Sequence, residues 1–198
     1  SGVVSNNLFD GDWGTNNTAH MFFEGDYSNG NPRAMSGISL INNVCLQYSG
    51  NTLNNGFFNT IGPNWNVWNN TCKGQGISNS IVVSCTGEGL KFQNNLITNV
   101  TTFFDLKSTD YIVNNNLYEQ PKVAGNSPWK YATVSYSTLA AWRAAIGQDN
   151  LSSSGVLEHL NSDGTLTSDS PAIASGVNLF NFFTYDKSDR QRRNTGGW

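Results

Sequence analysis

Five times along the chain a short apolar run is followed by two adjacent asparagines: VSNNLF at 4–9, LINNVC at 40–45, VWNNTC at 67–72, FQNNLI at 92–97 and VNNNLY at 113–118. The first Asn of each pair stands at 6, 42, 69, 94 and 115, giving intervals of 36, 27, 25 and 21 residues. A second mark recurs between the pairs, as FFE at 22–24, FFN at 57–59, VVS at 82–84 and FFD at 103–105. Phe58 to Val67, Val83 to Phe92 and Phe104 to Val113 are equal lengths of chain. The first unit carries eight extra residues, within GDYSNGNPRAMSG at 25–37. Short β-prone segments joined by one connection of fixed length and one of variable length are what a stack of repeated layers requires.

In a parallel stack, equivalent residues of neighbouring layers lie one strand spacing apart, about 4.8 Å. An Asn at a tight bend tolerates the left-handed backbone region. Its carboxamide bonds to the same group one layer up and one layer down. That satisfies buried polar groups which otherwise cost roughly 1–3 kcal/mol each. The second residues of the pairs, Asn7, Asn43, Asn70, Asn95 and Asn116, are therefore expected to make both the bends and a ladder of amides. Counting back from each pair, alternation places Val4, Leu40 and Ile38, Val67 and Trp65, Phe92 and Leu90, and Val113 and Tyr111 inward. Ile41 and Ser39, Trp68 and Asn66, Gln93 and Lys91, and Asn114 and Ile112 then face out. Cys45 and Cys72 hold the same position in consecutive repeats, which fits either a disulfide or two half-buried thiols.

This pattern resembles, over roughly residues 2–120, the right-handed parallel β-helix of pectate lyases, alginate and chondroitin lyases, polygalacturonases and phage tailspikes. The resemblance supplies the handedness, which spacing does not. It implies an all-β fold, a single-stranded solenoid of about five rungs over 1–120, followed by a capping region over 121–198. The repeat stops after Tyr118. The stretch YSTLAAWRAAIG at 136–147 predicts one short amphipathic helix near 137–146, with Ser137 as N-cap and Gly147 as its stop. Leu139, Trp142 and Ile146 share one face of that helix, which suits it to cover an open end of the stack. Gly147–Gln148–Asp149 and Ser170–Ile173 are similar to the closing segments of bacterial and phage β-helix proteins. Those proteins then carry an Asp-x-x-Gly turn, whereas here Asp186 is followed by Asp189. The sequence starts in mid-rung, so an upstream chain segment or a partner is expected to cover the first rung.

Composition narrows the function. Charged residues make up 13% of the chain and the net charge is −3, so no clustered basic face for nucleic acid is expected. The one dense cationic run, RQRR at 190–193, reads as a solvated tail. No apolar run reaches the length of a membrane span. No zinc motif, phosphate-binding loop or nucleophile elbow is present.

The resemblance implies a polysaccharide partner, met outside the cell or on a virion surface. Trp68, flanked by Asn66, Lys91 and Gln93, is the expected sugar-binding platform. A ring stacks on the apolar face of a pyranose, while amides and a cation hold hydroxyls or a uronate. A column of Glu24, Asn59, Ser84 and Asp105, with Lys107 beside it, suits a binding groove. The stretch HMFFEGDYSNGNPR at 20–33 gathers His20, Glu24, Asp26 and Arg33 in the one long insertion. In a lyase, His20 is the expected base and Arg33 the carboxylate clamp. In a glycoside hydrolase, Glu24 and Asp26 are the expected acid pair. The same two carboxylates are the only candidates for Ca²⁺, and no other metal or cofactor is expected. A solvated loop is the competing reading of this stretch. The alternative function is a non-catalytic structural or adhesive module of tailspike or adhesin type.

Overall fold

A computed structural model of the protein describes residues 1–11, 22–23, 36–47, 57–60, 63–74, 81–85, 87–118, 127–155, 159–161, 163–179, 185 and 191. The strands form in sets of three, one set per repeat. The first layer comprises β1 (Gly2–Ser5), β2 (Leu8–Gly11) and β3 (Phe22–Phe23). The second comprises β4 (Ile38–Ile41), β5 (Val44–Gln47) and β6 (Phe58–Thr60), and the third β7 (Asn66–Trp68), β8 (Thr71–Lys73) and β9 (Ile81–Cys85). The fourth comprises β10 (Leu90–Gln93), β11 (Leu96–Thr98) and β12 (Thr102–Leu106), and the fifth β13 (Tyr111–Asn114), β14 (Leu117–Tyr118) and β15 (Trp129–Tyr131). Each layer gives one strand to each of three parallel sheets, ordered β1-β4-β7-β10-β13, β2-β5-β8-β11-β14 and β3-β6-β9-β12-β15. Beyond the layers, β16 (Val134–Tyr136) turns back antiparallel on β15. Helix α1 (Leu139–Ile146) follows, and β17 (Ser153–Ser154) adds a last parallel strand beside β14. The protein is therefore mostly β, with parallel sheets. No helix among the described residues is long and apolar enough to cross a membrane.

The two asparagines of each pair divide the work that the sequence assigned to one. The bend between the first and second sheets is made by the first Asn: Asn6, Asn42, Asn69, Asn94 and Asn115 have φ of 61, 57, 55, 57 and 58°. Asn is among the few residues with a side chain that adopts this left-handed conformation readily. The second Asn keeps ordinary backbone geometry and turns its carboxamide along the stack. The backbone N–H and the Nδ2 of Asn7 both donate to Asn43 Oδ1, those of Asn43 to Asn70, those of Asn70 to Asn95, and those of Asn95 to Asn116, at 2.9–3.2 Å. The Nδ2 groups of Asn43, Asn70 and Asn95 also donate to the carbonyls of Val4, Leu40 and Val67 in the preceding layer, each at 2.9 Å. Asn43, Asn70, Asn95 and Asn116 are fully buried.

The inward residues named from alternation do line one core, where Leu40, Val67, Phe92 and Val113 stack as register partners of the first sheet. Aromatic rings fill its far end. Phe92 and Phe104 meet edge to face at 5.0 Å, and Phe104 stacks on Trp142 of α1 at 5.4 Å with 9° between the planes. Helix α1 thus covers the stack through Leu139 and Trp142. Its N-cap is Thr138, one residue later than Ser137. Thr138 is extended (φ −130°, ψ 149°), and its hydroxyl accepts from Ala141 N. Gly147 stops the helix at φ 67°.

The amide ladder ends in a polar hub beneath this cap. Asn116 N donates to Ser152 Oγ at 2.7 Å, and Ser152 Oγ donates in turn to Asp149 Oδ1. Asp149 Oδ2 also accepts from Tyr118 Oη at 2.9 Å and Trp142 Nε1 at 3.0 Å. Arg143 donates to the carbonyls of Asp149 and Ser152. Burial pushes the Asp149 carboxyl above its ordinary value, and the hydrogen bonds from Ser152, Tyr118 and Trp142 and the Arg143 charge only partly oppose it.

The C-terminal third does more than cover an end, for it also runs back along the outside. A short hairpin, bridged at Leu160 and Leu166, packs on Leu96, Leu117 and Ala172. At its tip Gly164 (φ 76°) approaches β5 so closely that a Cβ there would stand 2.3 Å from Val44 Cγ1, which restricts the position to glycine.

Two measurements check this architecture. In urea unfolding, Asn70→Ala should lose about 3 kcal/mol, because it strands buried donors of Asn43 and a carbonyl of the preceding layer. Asn7→Ala, half-buried at the end of the ladder, should lose about 1 kcal/mol, and equal losses would refute the ladder. The raised Asp149 carboxyl holds its proton in the folded chain to higher pH than in the unfolded chain. Its contribution to stability is therefore greatest at low pH and is lost as pH rises from the ordinary carboxylate range through the raised value. The melting temperature of the wild type minus that of Asp149→Asn should fall as pH rises above the ordinary carboxylate value of about 4, and a flat difference would contradict the assignment.

Candidate functional site

The four proposed catalytic residues, His20, Glu24, Asp26 and Arg33, lie outside the described residues. The six proposed binding residues fall on two different sheets. Asn66 and Trp68 stand on β7, next to their register partners Lys91 and Gln93 on β10. Asp105 lies on β12 of the third sheet, with Lys107 just beyond its end.

On the first sheet, every second residue points away from the core. One outward row runs Val3, Ser39, Asn66, Lys91 and Ile112, and the next runs Ser5, Ile41, Trp68, Gln93 and Asn114. Asn66 Nδ2 donates to Ser39 Oγ at 3.0 Å, which fixes its amide along the row. Lys91 is exposed, and Asn66 and Gln93 are half-exposed. Trp68 points outward as its position in the repeat requires, yet it is not an open platform. It is only 5% exposed, packed with Ile41 and Leu179. The returning chain covers it and is pinned by the bend asparagines. Asn94 exchanges two hydrogen bonds with the Val177 backbone, at 2.7 and 2.8 Å, and Asn42 Nδ2 donates to Tyr185 O at 2.9 Å. The exposed polar strip beside the covered indole therefore comprises Asn66, Lys91, Gln93 and Asn114.

On the third sheet, register places Asn59, Ser84, Asp105 and Lys130 in one row. Phe23 is the register partner of Asn59, and Glu24, the expected first member of the column, lies outside the described residues. Asp105 Oδ2 lies 3.6 Å from Lys130 Nζ and 4.0 Å from Lys107 Nζ. Its Oδ1 is buried and, among the described residues, accepts no hydrogen bond. Lys130 went unnoticed in the sequence because the Asn pairs stop before it. The alternation of Trp129–Lys130–Tyr131, matching Phe104–Asp105–Leu106, was the signal available.

Other chemistry is sparse. His159 Nδ1 lies 3.1 Å from Asp169 Oδ2, and Thr167 donates to the same carboxylate at 2.6 Å. The Thr167 hydrogen bond, more than His159, holds this carboxyl below its ordinary value. Thr167 N also donates to His159 O, so the group closes the short hairpin that carries it. Among the described residues, no cluster of three or more His, Cys, Asp or Glu side chains is placed to hold a metal ion. Comparison of the chain with protein-family models, with curated proteins and with solved structures finds no match.

The cover over Trp68 gives a direct test. In hydroxyl-radical footprinting, Trp68 should be protected in the wild type, and Leu179→Ala should raise its oxidation several-fold. Equal oxidation in both proteins would mean that Leu179 is not what shields the ring.

Proposed function

We propose that the protein is a right-handed parallel β-helix that binds an extended extracellular polysaccharide along the outside of β7, β10 and β13. The observation that carries this reading is the strip of Asn66, Lys91, Gln93 and Asn114, in register on adjacent parallel strands. The amides of Gln93 and Asn114 stand one strand spacing apart, about 4.8 Å, an interval close to the length of one sugar unit. Lys91 adds a cation for a uronate or sulfate. The covered indole backs this strip and does not stack on the sugar. Asp105 with Lys107 and Lys130 offers a second polar patch, in which the two lysines are the accessible groups.

Binding without cleavage is the form that the described surface favours. The two polar patches lie on different sheets and share no convergent set of acid, base and cation. If the chain also cleaves, the groups at 20–33 are the ones to supply the chemistry: His20 and Arg33 for a lyase, Glu24 and Asp26 for a hydrolase.

Affinity electrophoresis through gels containing alginate, pectin or a glycosaminoglycan tests the reading. Retardation by at least one of them is expected, with Lys91→Ala weakening it about tenfold. Absence of retardation by every anionic and neutral glycan, or binding unchanged in both Lys91→Ala and Gln93→Ala, would remove the proposal. Ultraviolet absorbance from unsaturated uronate products, lost in His20→Ala, would assign a lyase on top of binding.

A further inference from the structure

Two thiols meet in the core of the second sheet. Cys45 on β5 and Cys72 on β8 are register partners on adjacent parallel strands. Both are fully buried, between Phe9 and Ile97 at the same position in the flanking layers. Register partners of this kind have Cα atoms about 4.8 Å apart, inside the span of about 4.4–6.8 Å that a disulfide bridges. Both thiols are free and stack one above the other in the core, close enough for Cys45 to act on the Cys72 thiol. Cys85 is set apart on β9 of the third sheet, where its thiol donates to Gly87 O.

We propose that Cys45 and Cys72 form an oxidation site, closed by a single disulfide that staples the second layer to the third. The oxidant is a small-molecule disulfide such as oxidised glutathione. One cysteine thiolate attacks a sulfur of that molecule, releasing one small thiol and leaving a mixed disulfide. The second cysteine then displaces the other small thiol. The two protein thiols lose two protons and two electrons, and the oxidant gains them as two thiols.

Burial first, then the contact with Cys45, pushes the Cys72 thiol up, so little thiolate exists in the closed core at neutral pH. Exchange therefore belongs to the opened or folding chain. Pairing of β5 with β8 selects the partner, and Cys85 is left out. The staple sits two residues beyond Asn43 and Asn70, so it ties the same two layers that their carboxamides join. Its main effect is on the unfolded chain, whose freedom the closed loop restricts.

The full chain, reduced and denatured, is refolded in mixed oxidised and reduced glutathione, its free thiols are alkylated, and non-reducing peptide maps are recorded. A Cys45–Cys72 peptide pair with Cys85 alkylated is expected. The oxidised chain should melt at higher temperature than the reduced one. That rise should persist in Cys85→Ala and vanish in Cys45→Ala. Three alkylated cysteines, a bridge that includes Cys85, or a bridge between two chains would overturn the proposal. Should Cys45→Ala fail to fold, the maps of the wild type and of Cys85→Ala decide the matter by themselves.

Discussion

The side-chain amide of the second asparagine is the interaction on which the stack depends. A chain that bends sharply inside a core leaves backbone donors and acceptors with no strand partner. Each buried carboxamide meets three of these needs together. Its oxygen accepts a backbone N–H and an Nδ2 from the layer before it, and its own Nδ2 donates back to a carbonyl of that layer. The group is a donor on one side and an acceptor on the other, so the same residue serves in every layer and the run has a direction. It also fixes register, because a slip of one residue would send the core residues outward and remove the amides from line.

A directional ladder must end on something that is not another asparagine. Ser152 Oγ accepts the last backbone N–H and donates its own O–H to Asp149 Oδ1. That buried carboxylate is tolerated because three donors and the nearby Arg143 surround it. Tyr118 belongs to the last layer and Trp142 to the helix. Both donate to Asp149, so one carboxylate joins the stack to its cover. The stacked rings of Phe104 and Trp142 make the same junction through apolar contact. Polar and apolar fastenings therefore converge on one side of one short helix.

The outer surface is shaped by the returning C-terminal chain as much as by the strands. The bend asparagines recur at regular intervals, and the tail docks on Asn94 and Asn42, which it helps to bury. Leu179 comes down on Trp68 and Ile41 on one sheet, while the Leu160–Leu166 hairpin covers Leu96 and Leu117 on another. What stays open on the first sheet is the amide and lysine strip, with Val3 and Ile112 exposed at either end of the Lys91 row. The character of the candidate binding face follows from that coverage: it is hydrogen-bonding and cationic, not aromatic.

The sequence by itself determined the layers, their inward residues and the amide ladder. Each is written as a short-range period, and a pair of asparagines after an alternating strand has few other uses. It also determined the end of α1, since Gly147 follows an amphipathic run. It misplaced the bend by one residue, because both asparagines of a pair tolerate the left-handed conformation and only packing chooses between them. Tertiary structure alone decided the burial of Trp68 and the hub at Asp149. Both depend on where segments far apart in the chain come to rest, and no local period of polar and apolar residues encodes a contact between Trp68 and Leu179.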